Sequence, residues 1–350
     1  MAERRLDYID IAKGLGILTV VWGHIMTSGV THEVIYAFHM PLFFFLSGML
    51  FRSEKYSSFR SFFLRRGKRL LIPYVIYSVA TWTFWVVFRY FYYHTAKNLA
   101  RPLLQTLLAQ GSGGFLDHNS ALWFIPCLFL VEMLYYFISK AGLTWSIIIC
   151  FSLAALSFVL GDRLGDVYWY SLPWNADVAL IALPFYAAGN VLTGRVGHSR
   201  FIASVSARKW QSALLWLVVT VPFCWAAMVF PRCSMGSSYY PCGAWVFMSR
   251  AFFGVAWFML LSLFLSVIPK RNPVTTIAKR CGIKSLDIMC LHLPLIMVFS
   301  AVVARVFCTT LDSIGGDYGY SLIVFVLTIA SSWPIIRLID RFREYKGGSR

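Results

Sequence analysis

With 350 residues, 59% of them hydrophobic and only 13% charged, the chain departs from the roughly one-quarter charged composition of a soluble domain, which excludes a water-soluble globular enzyme. The net charge of +17 is carried in short Lys and Arg clusters between apolar runs rather than along one polar face, which argues against nucleic acid as a partner. The 8 cysteines show no CxxC pair or metal-ligand spacing, so no metal is expected.

In chain order, Arg4 and Arg5 precede an apolar stretch as in a secretory leader. Asp10 and Lys13 interrupt that stretch, however, and no small-residue cleavage site follows, so it reads as a retained first helix. Apolar runs then recur, the expected spans being 9–27, 34–52, 70–93, 121–139, 145–161, 177–193, 211–230, 244–268, 285–304 and 319–337. Runs of about 17 to 25 residues cross some 30 Å of hydrocarbon as helices, and lone strands would leave backbone groups unpaired in lipid. The expected fold is therefore all-α, a polytopic transmembrane bundle of about ten helices. If the N-terminus is cytoplasmic, the cytoplasmic segments hold 24 of the 32 Lys and Arg and the opposite side 7, with Lys13 inside a span. That bias predicts both termini on the cytoplasmic side. The sequence shows no internal repeat of the kind found in many transporters. The longest outer loop, 94–120, carries Gly111-Ser112-Gly113-Gly114, Asp117 and His118 and reads as a connector before a lid. Cys127, Cys150, Cys224 and Cys290 lie in apolar runs as packing residues. Cys233 and Cys242 share one outer loop, where thiols and a disulfide are both open.

An ionisable residue inside a span costs about 2.5 to 3.5 kcal/mol and marks a bundle interior or a cavity. Such residues concentrate early: Asp10, Lys13 and His24 in the first span and His39 in the second. Eleven residues separate Lys13 from His24, which is three turns plus about 20°, so both project from nearly one face, about 16 Å apart along the axis. Asp10 can pair with Lys13, giving either an interfacial ion pair or part of a site. His24 reads either as a core histidine or as a titratable site group. Arg65-Arg66-Gly67-Lys68-Arg69 reads either as an anionic-lipid cluster or, through Arg66 and Arg69 at a helix start, as a phosphate clamp. Trp174, Asn175 and Asp177 suit sugar hydroxyls but read first as a polar helix start.

Together these blocks carry a family resemblance. Asp10 to Lys13 and on to Gly23-His24, then Phe38-His39-Met40-Pro41 with Leu46-Ser47-Gly48, resemble the acyltransferase-3 family of membrane O-acyltransferases, in particular its fucose-4-O-acetylase-like branch. So do Arg66-x-x-Arg69 with Pro73, Leu122-Trp123-Phe124-Ile125-Pro126 with Glu132, and Ser285-Leu286-Asp287 through His292. The resemblance implies one transmembrane acyltransferase domain over 1–350, without room for a fused extracytoplasmic hydrolase-like domain. It also implies a location in a bacterial cytoplasmic (inner) membrane. The basic residue and histidine of the family signature fall on Lys13 and His24, with Lys where many members carry Arg, which gives up a planar bidentate donor.

The implied activity moves an acyl group, acetyl foremost, from acetyl-CoA on the cytoplasmic side to a hydroxyl of a cell-surface or lipid-linked glycan. His24 is then base or acyl carrier, Lys13 an electrostatic stabiliser with Asp10 beside it, and Arg66, Lys68 and Arg69 contacts to the CoA phosphates. His39, Trp123, Glu132 and His292 complete the cavity candidates. The competing expectation is a non-enzymatic exporter or flippase of a lipid-linked glycan, which would spread cavity charge through both halves of the chain. Membrane lipids are partners under either reading.

Overall fold

The computed structural model describes residues 7–93, 99–111, 116–164, 172–195, 209–267 and 272–347. It is an all-α bundle: among the described residues the only strand-like pairing is one isolated bridge, Ser234 to Tyr239. The helices are α1 (Asp7–Ile25), α2 (Val30–Met49), α3 (Phe59–Phe88), α4 (Ala100–Gln105), α5 (Phe124–Ile138), α6 (Leu143–Leu164) and α7 (Ala176–Arg195). They continue as α8 (Lys209–Val229), α9 (Gly243–Val267), α10 (Pro273–Ile283), α11 (Ser285–Val306), α12 (Leu311–Gly316) and α13 (Tyr318–Gly347). A helix lies over every expected span. Among the described residues, 7 helices are long and apolar enough to cross a membrane. Their apolar surface faces outward: Leu214, Val218, Val221 and Trp225 on α8 and Val302 and Val306 on α11 are exposed. A bilayer would cover such a surface and water would not.

Two helices run past their apolar spans. α3 begins at Phe59, well before the expected start near 70, because the Ser58 hydroxyl accepts a hydrogen bond from the Ser61 amide at 3.2 Å and caps it. Phe59 and Phe62 then pack on Tyr136, with ring centres at 5.3 and 4.9 Å. Arg66 and Arg69 therefore sit inside a helix rather than at its start. α13 continues past 337 because ion pairs hold the extension: Lys284 to Asp340 at 2.7 Å, and Arg343 to Asp287 at 2.9 Å. α10 lies over no apolar run and was not expected. Its small residues Ala278 and Gly282 press against α1.

That contact is backbone on backbone. A Cβ on Gly14 would overlap the Ala278 carbonyl, and one on Gly282 would overlap the Asp10 carbonyl. Glycine lets the two helices touch where neither side chain could fit. Gly14→Val is therefore expected to lower the melting temperature of the purified protein sharply, since overpacking of this kind costs about 1–3 kcal/mol. Gly161→Ala, where an added methyl meets nothing within 4 Å, should leave it unchanged. Equal melting curves for both variants would refute this packing.

The described parts of the loop before α5 are tied to the bundle. Tyr74 donates to the Thr106 carbonyl at 2.5 Å and Trp82 to the Leu99 carbonyl at 2.7 Å. Ser112 to Gly114 lie outside the described residues. Leu116, His118 and Asn119 are buried, and the Asn119 amide donates to the Cys290 carbonyl on α11 at 2.7 Å. Asn175, fully buried, accepts from the Gly111 amide at 2.9 Å and donates to the Gly236 carbonyl at 3.0 Å, so it ties three separate segments together. Its amide is thus engaged in structure, as a polar helix start implies. Cys233 and Cys242 are thiols, each lying against the Pro231 carbonyl.

Candidate active site

A cavity of about 680 Å³ opens at the basic end of the bundle, within the 300–1,000 Å³ range of small-molecule sites. Four separate parts of the chain supply its charged residues. Asp10 and Lys13 come from the first turns of α1, Arg52 and Lys55 from the loop after α2, Arg66 and Arg69 from α3, and Glu132 from α5. The loop after α2 and the start of α3 are segments the charge bias assigns to one side, whereas Asp10, Lys13 and Glu132 stand within expected spans. The inner walls are apolar, with Ile17, Phe43, Phe124, Leu128 and Met289. Arg52 and Lys55 escaped the sequence reading because they stand in a loop beside a denser basic cluster; the only signal was their sign.

Arg66 and Glu132 form a buried ion pair in the cavity. The Arg66 Nε and Nη2 groups donate in parallel to the two carboxylate oxygens of Glu132, whose side chain is 1% exposed. A planar guanidinium matches a carboxylate in this way and an ammonium does not. Arg69 lines the same cavity with no hydrogen-bond partner among the described residues. The two arginines expected to act alike therefore differ: one braces α3 against α5, and the other faces the cavity with its donors unspent. Lys68 does not line the cavity.

His24 is not part of this lining. Ile17 is the last α1 residue to reach the cavity, and His24 stands seven residues, about 10 Å, further along the helix. Its surroundings are other histidines. The His292 ring is 5.2 Å away, tilted by 45°, and His32 and His39 are both within electrostatic range. Four of the 7 histidines of the chain thus influence one another electrostatically in this part of the bundle, with His32 and His39 two turns apart on α2. Among the described residues, no group of three His, Cys, Asp or Glu side chains is arranged to hold a metal ion.

Backbone carbonyls fix two of these rings. His39 Nδ1 lies 2.9 Å from the Ile35 carbonyl, and His292 Nδ1 lies 2.7 Å from that of Met289. A carbonyl only accepts, so each Nδ1 carries a proton and each neutral ring keeps its lone pair on Nε2. The His292 Nε2 is buried with no hydrogen-bond partner among the described residues. Toward the far end, Tyr36 meets His39 with ring centres 4.9 Å apart, and the Arg232 guanidinium lies over Tyr36 and 3.3 Å from His32 Nε2. Trp123 packs instead against Gly111 and Gly236 in the outer loops, where a Cβ on either glycine would strike its indole.

A family model described as Acyltransferase domain, Acyl_transf_3, matches residues 6–337. The chain belongs to the acyltransferase-3 family. No curated protein and no solved structure matches it. As an acyltransferase-3 protein it is a multi-pass membrane acyltransferase, and all the site residues described above fall within the matched segment.

Proposed function

We propose that this protein transfers an acyl group, acetyl foremost, from acyl-CoA entering at the basic end to a hydroxyl of a cell-surface or lipid-linked glycan. The observation that carries this reading is the cavity itself. Lys13, Arg52, Lys55 and Arg69 surround a space that turns apolar at Ile17, Phe43 and Phe124, and Ile17 lies on the helix that also holds His24. CoA has the same polarity along its length, with phosphates at one end and a slender pantetheine arm carrying the thioester at the other. Arginine and lysine suit the phosphates, and the apolar walls exclude water from the thioester.

Transfer forms one C–O bond and breaks one C–S bond. The acceptor hydroxyl attacks the thioester carbonyl, its proton goes to His24, and CoA departs as thiolate to be protonated afterwards. In the variant with an acyl carrier, a His24 nitrogen attacks first, forming a C–N bond as the C–S bond breaks and CoA leaves; the glycan hydroxyl then forms the C–O bond as the C–N bond breaks, and its proton goes to the released imidazole. In either form the thioester has to pass Ile17, Phe43 and Phe124 to approach His24, so the narrow inner end of the cavity opens during turnover. Arg232, His32, Tyr36 and His39 give the acceptor a polar approach from the opposite side. The charged residues of the cavity, Asp10 through Glu132, all come from the first half of the chain, unlike the spread through both halves that an exporter would show, and family membership adds weight to the enzyme.

The test is turnover of labelled acetyl-CoA by purified protein in nanodiscs with a panel of glycans. Arg69→Ala should raise KM for acetyl-CoA by about 10- to 100-fold, the cost of losing a charged hydrogen-bonded contact, with kcat nearly unchanged. Absence of both CoA binding and acyl release would overturn the reading.

A further inference from the structure

A second groove, of about 640 Å³, lies at the same basic end on another face of the α10–α11 junction. Its walls are the C-terminal part of α10 with Lys284 and one stripe of α13. Along that stripe the residues pass from Ala330 and Trp333 to Arg337 and Asp340, so an apolar lane becomes a charged one over ten residues, about 15 Å. The acyl-transfer chemistry uses none of these side chains.

The charges are unevenly satisfied. Lys284 reaches Asp340 at 2.7 Å, and Arg343 lies 3.7 Å from the same carboxylate. Asp340 is therefore shared between two lysine and arginine cations. Arg280 and Arg337, from facing helices, are exposed on this groove with no hydrogen bond or carboxylate partner among the described residues. Two guanidinium forks and one half-buried indole converge on a space with a single carboxylate, already paired. Around it, Val274 and Ile277 on α10 and Leu338 on α13 are each more than half exposed. The short helix α10 thus presents apolar side chains outward beside its basic ones, the pattern of a helix lying in the membrane–water interface.

We infer that this groove binds an anionic glycerophospholipid, with Arg280 and Arg337 holding the headgroup phosphate and the Ala330–Trp333–Ile336 lane taking the start of an acyl chain. The occupant is lipid rather than a soluble anion because the groove continues into apolar wall and is bordered by exposed aliphatic residues, which a free phosphate would leave bare. Guanidinium forks match phosphate oxygens two at a time. A basic pocket between helices at the cytoplasmic headgroup level is where an anionic headgroup gains most, and the charge bias assigns that side to this end. An occupied groove would link α10, which packs on α1 beside Asp10, to α13.

The test is native mass spectrometry of the full-length protein released from nanodiscs containing phosphatidylglycerol and phosphatidylcholine in equal amounts. Wild type should retain phosphatidylglycerol in preference to phosphatidylcholine by at least about fivefold, a difference of roughly 1 kcal/mol at 1.4 kcal/mol per decade. Arg280→Gln with Arg337→Gln should abolish that preference, whereas Arg60→Gln with Arg341→Gln, which removes two exposed cations at the same end but outside the groove, should keep it. Equal retention of both lipids by wild type overturns the proposal without any variant. Equal loss in both double variants would mean diffuse surface attraction and also overturn it. So would displacement of the retained lipid by millimolar inorganic phosphate, which would identify a soluble-anion site.

Discussion

Replacing His24 with alanine is expected to lower acyl transfer by about 10²- to 10⁴-fold, the usual contribution of a positioned acid–base group, while acetyl-CoA binding and melting temperature stay near wild type. The separation is expected because His24 lies about 10 Å along α1 from the last α1 residue lining the basic cavity, and because its ring is only partly buried. His292→Ala should have a smaller effect, about 10-fold, acting through kcat alone. Its ring touches His24 at 5.2 Å with Nδ1 committed to the Met289 carbonyl, which makes it a positioning residue. His292→Asn, which keeps a side-chain donor, should recover part of the loss. Intact-mass analysis after brief exposure to acetyl-CoA separates the two chemical roles of His24. An acetyl adduct on wild type that is missing from His24→Ala marks an acyl carrier, and no adduct marks a base. Undiminished glycan acetylation by His24→Ala would remove it from the chemistry altogether.

Glu132→Ala is expected to destabilise the fold by about 3–5 kcal/mol, the cost of leaving a buried charge without its partner. Glu132 is 1% exposed and takes both parallel donors of Arg66, so its removal strands a guanidinium in a bundle interior. Arg66→Ala should cost as much for the opposite reason. Arg66→Met combined with Glu132→Leu should melt near wild type, because replacing both members of such a pair by apolar groups of similar volume removes the desolvation penalty together with the attraction. Thermal melts of the three variants and wild type in one detergent check this. If either single variant melts like wild type, the pair does not brace α3 against α5. Kinetics on the double variant then separate bracing from donor recognition: KM for acetyl-CoA close to wild type assigns phosphate contact to Arg69 and not to Arg66.

The ten helical segments were legible in the sequence because a bilayer imposes a length and removes water, so any spanning segment has to be a long apolar run paired within itself. Asp10, Lys13, His24 and Glu132 were legible for a related reason, since a charged or titratable residue in such a run stands out against its surroundings, while Arg66 showed only as one of a basic cluster ahead of a run. Partnership was not legible. That Glu132 belongs to Arg66, 66 residues away, depends on how α3 crosses α5. That His24 meets His292 depends on the first and the eleventh helices lying side by side. α10 escaped notice because its contact with α1 rests on Gly14, Ala278 and Gly282, small residues with no hydropathy signal. The sequence by itself determined the membrane-spanning helical class, the family and the early cluster of ionisable residues, since each is a property of a local run or a short motif. Only the tertiary structure decided that the basic cavity ends before His24, that Arg66 is occupied while Arg69 is not, and that a second basic groove exists. Those outcomes follow from which helix faces meet, and packing between distant segments sets that.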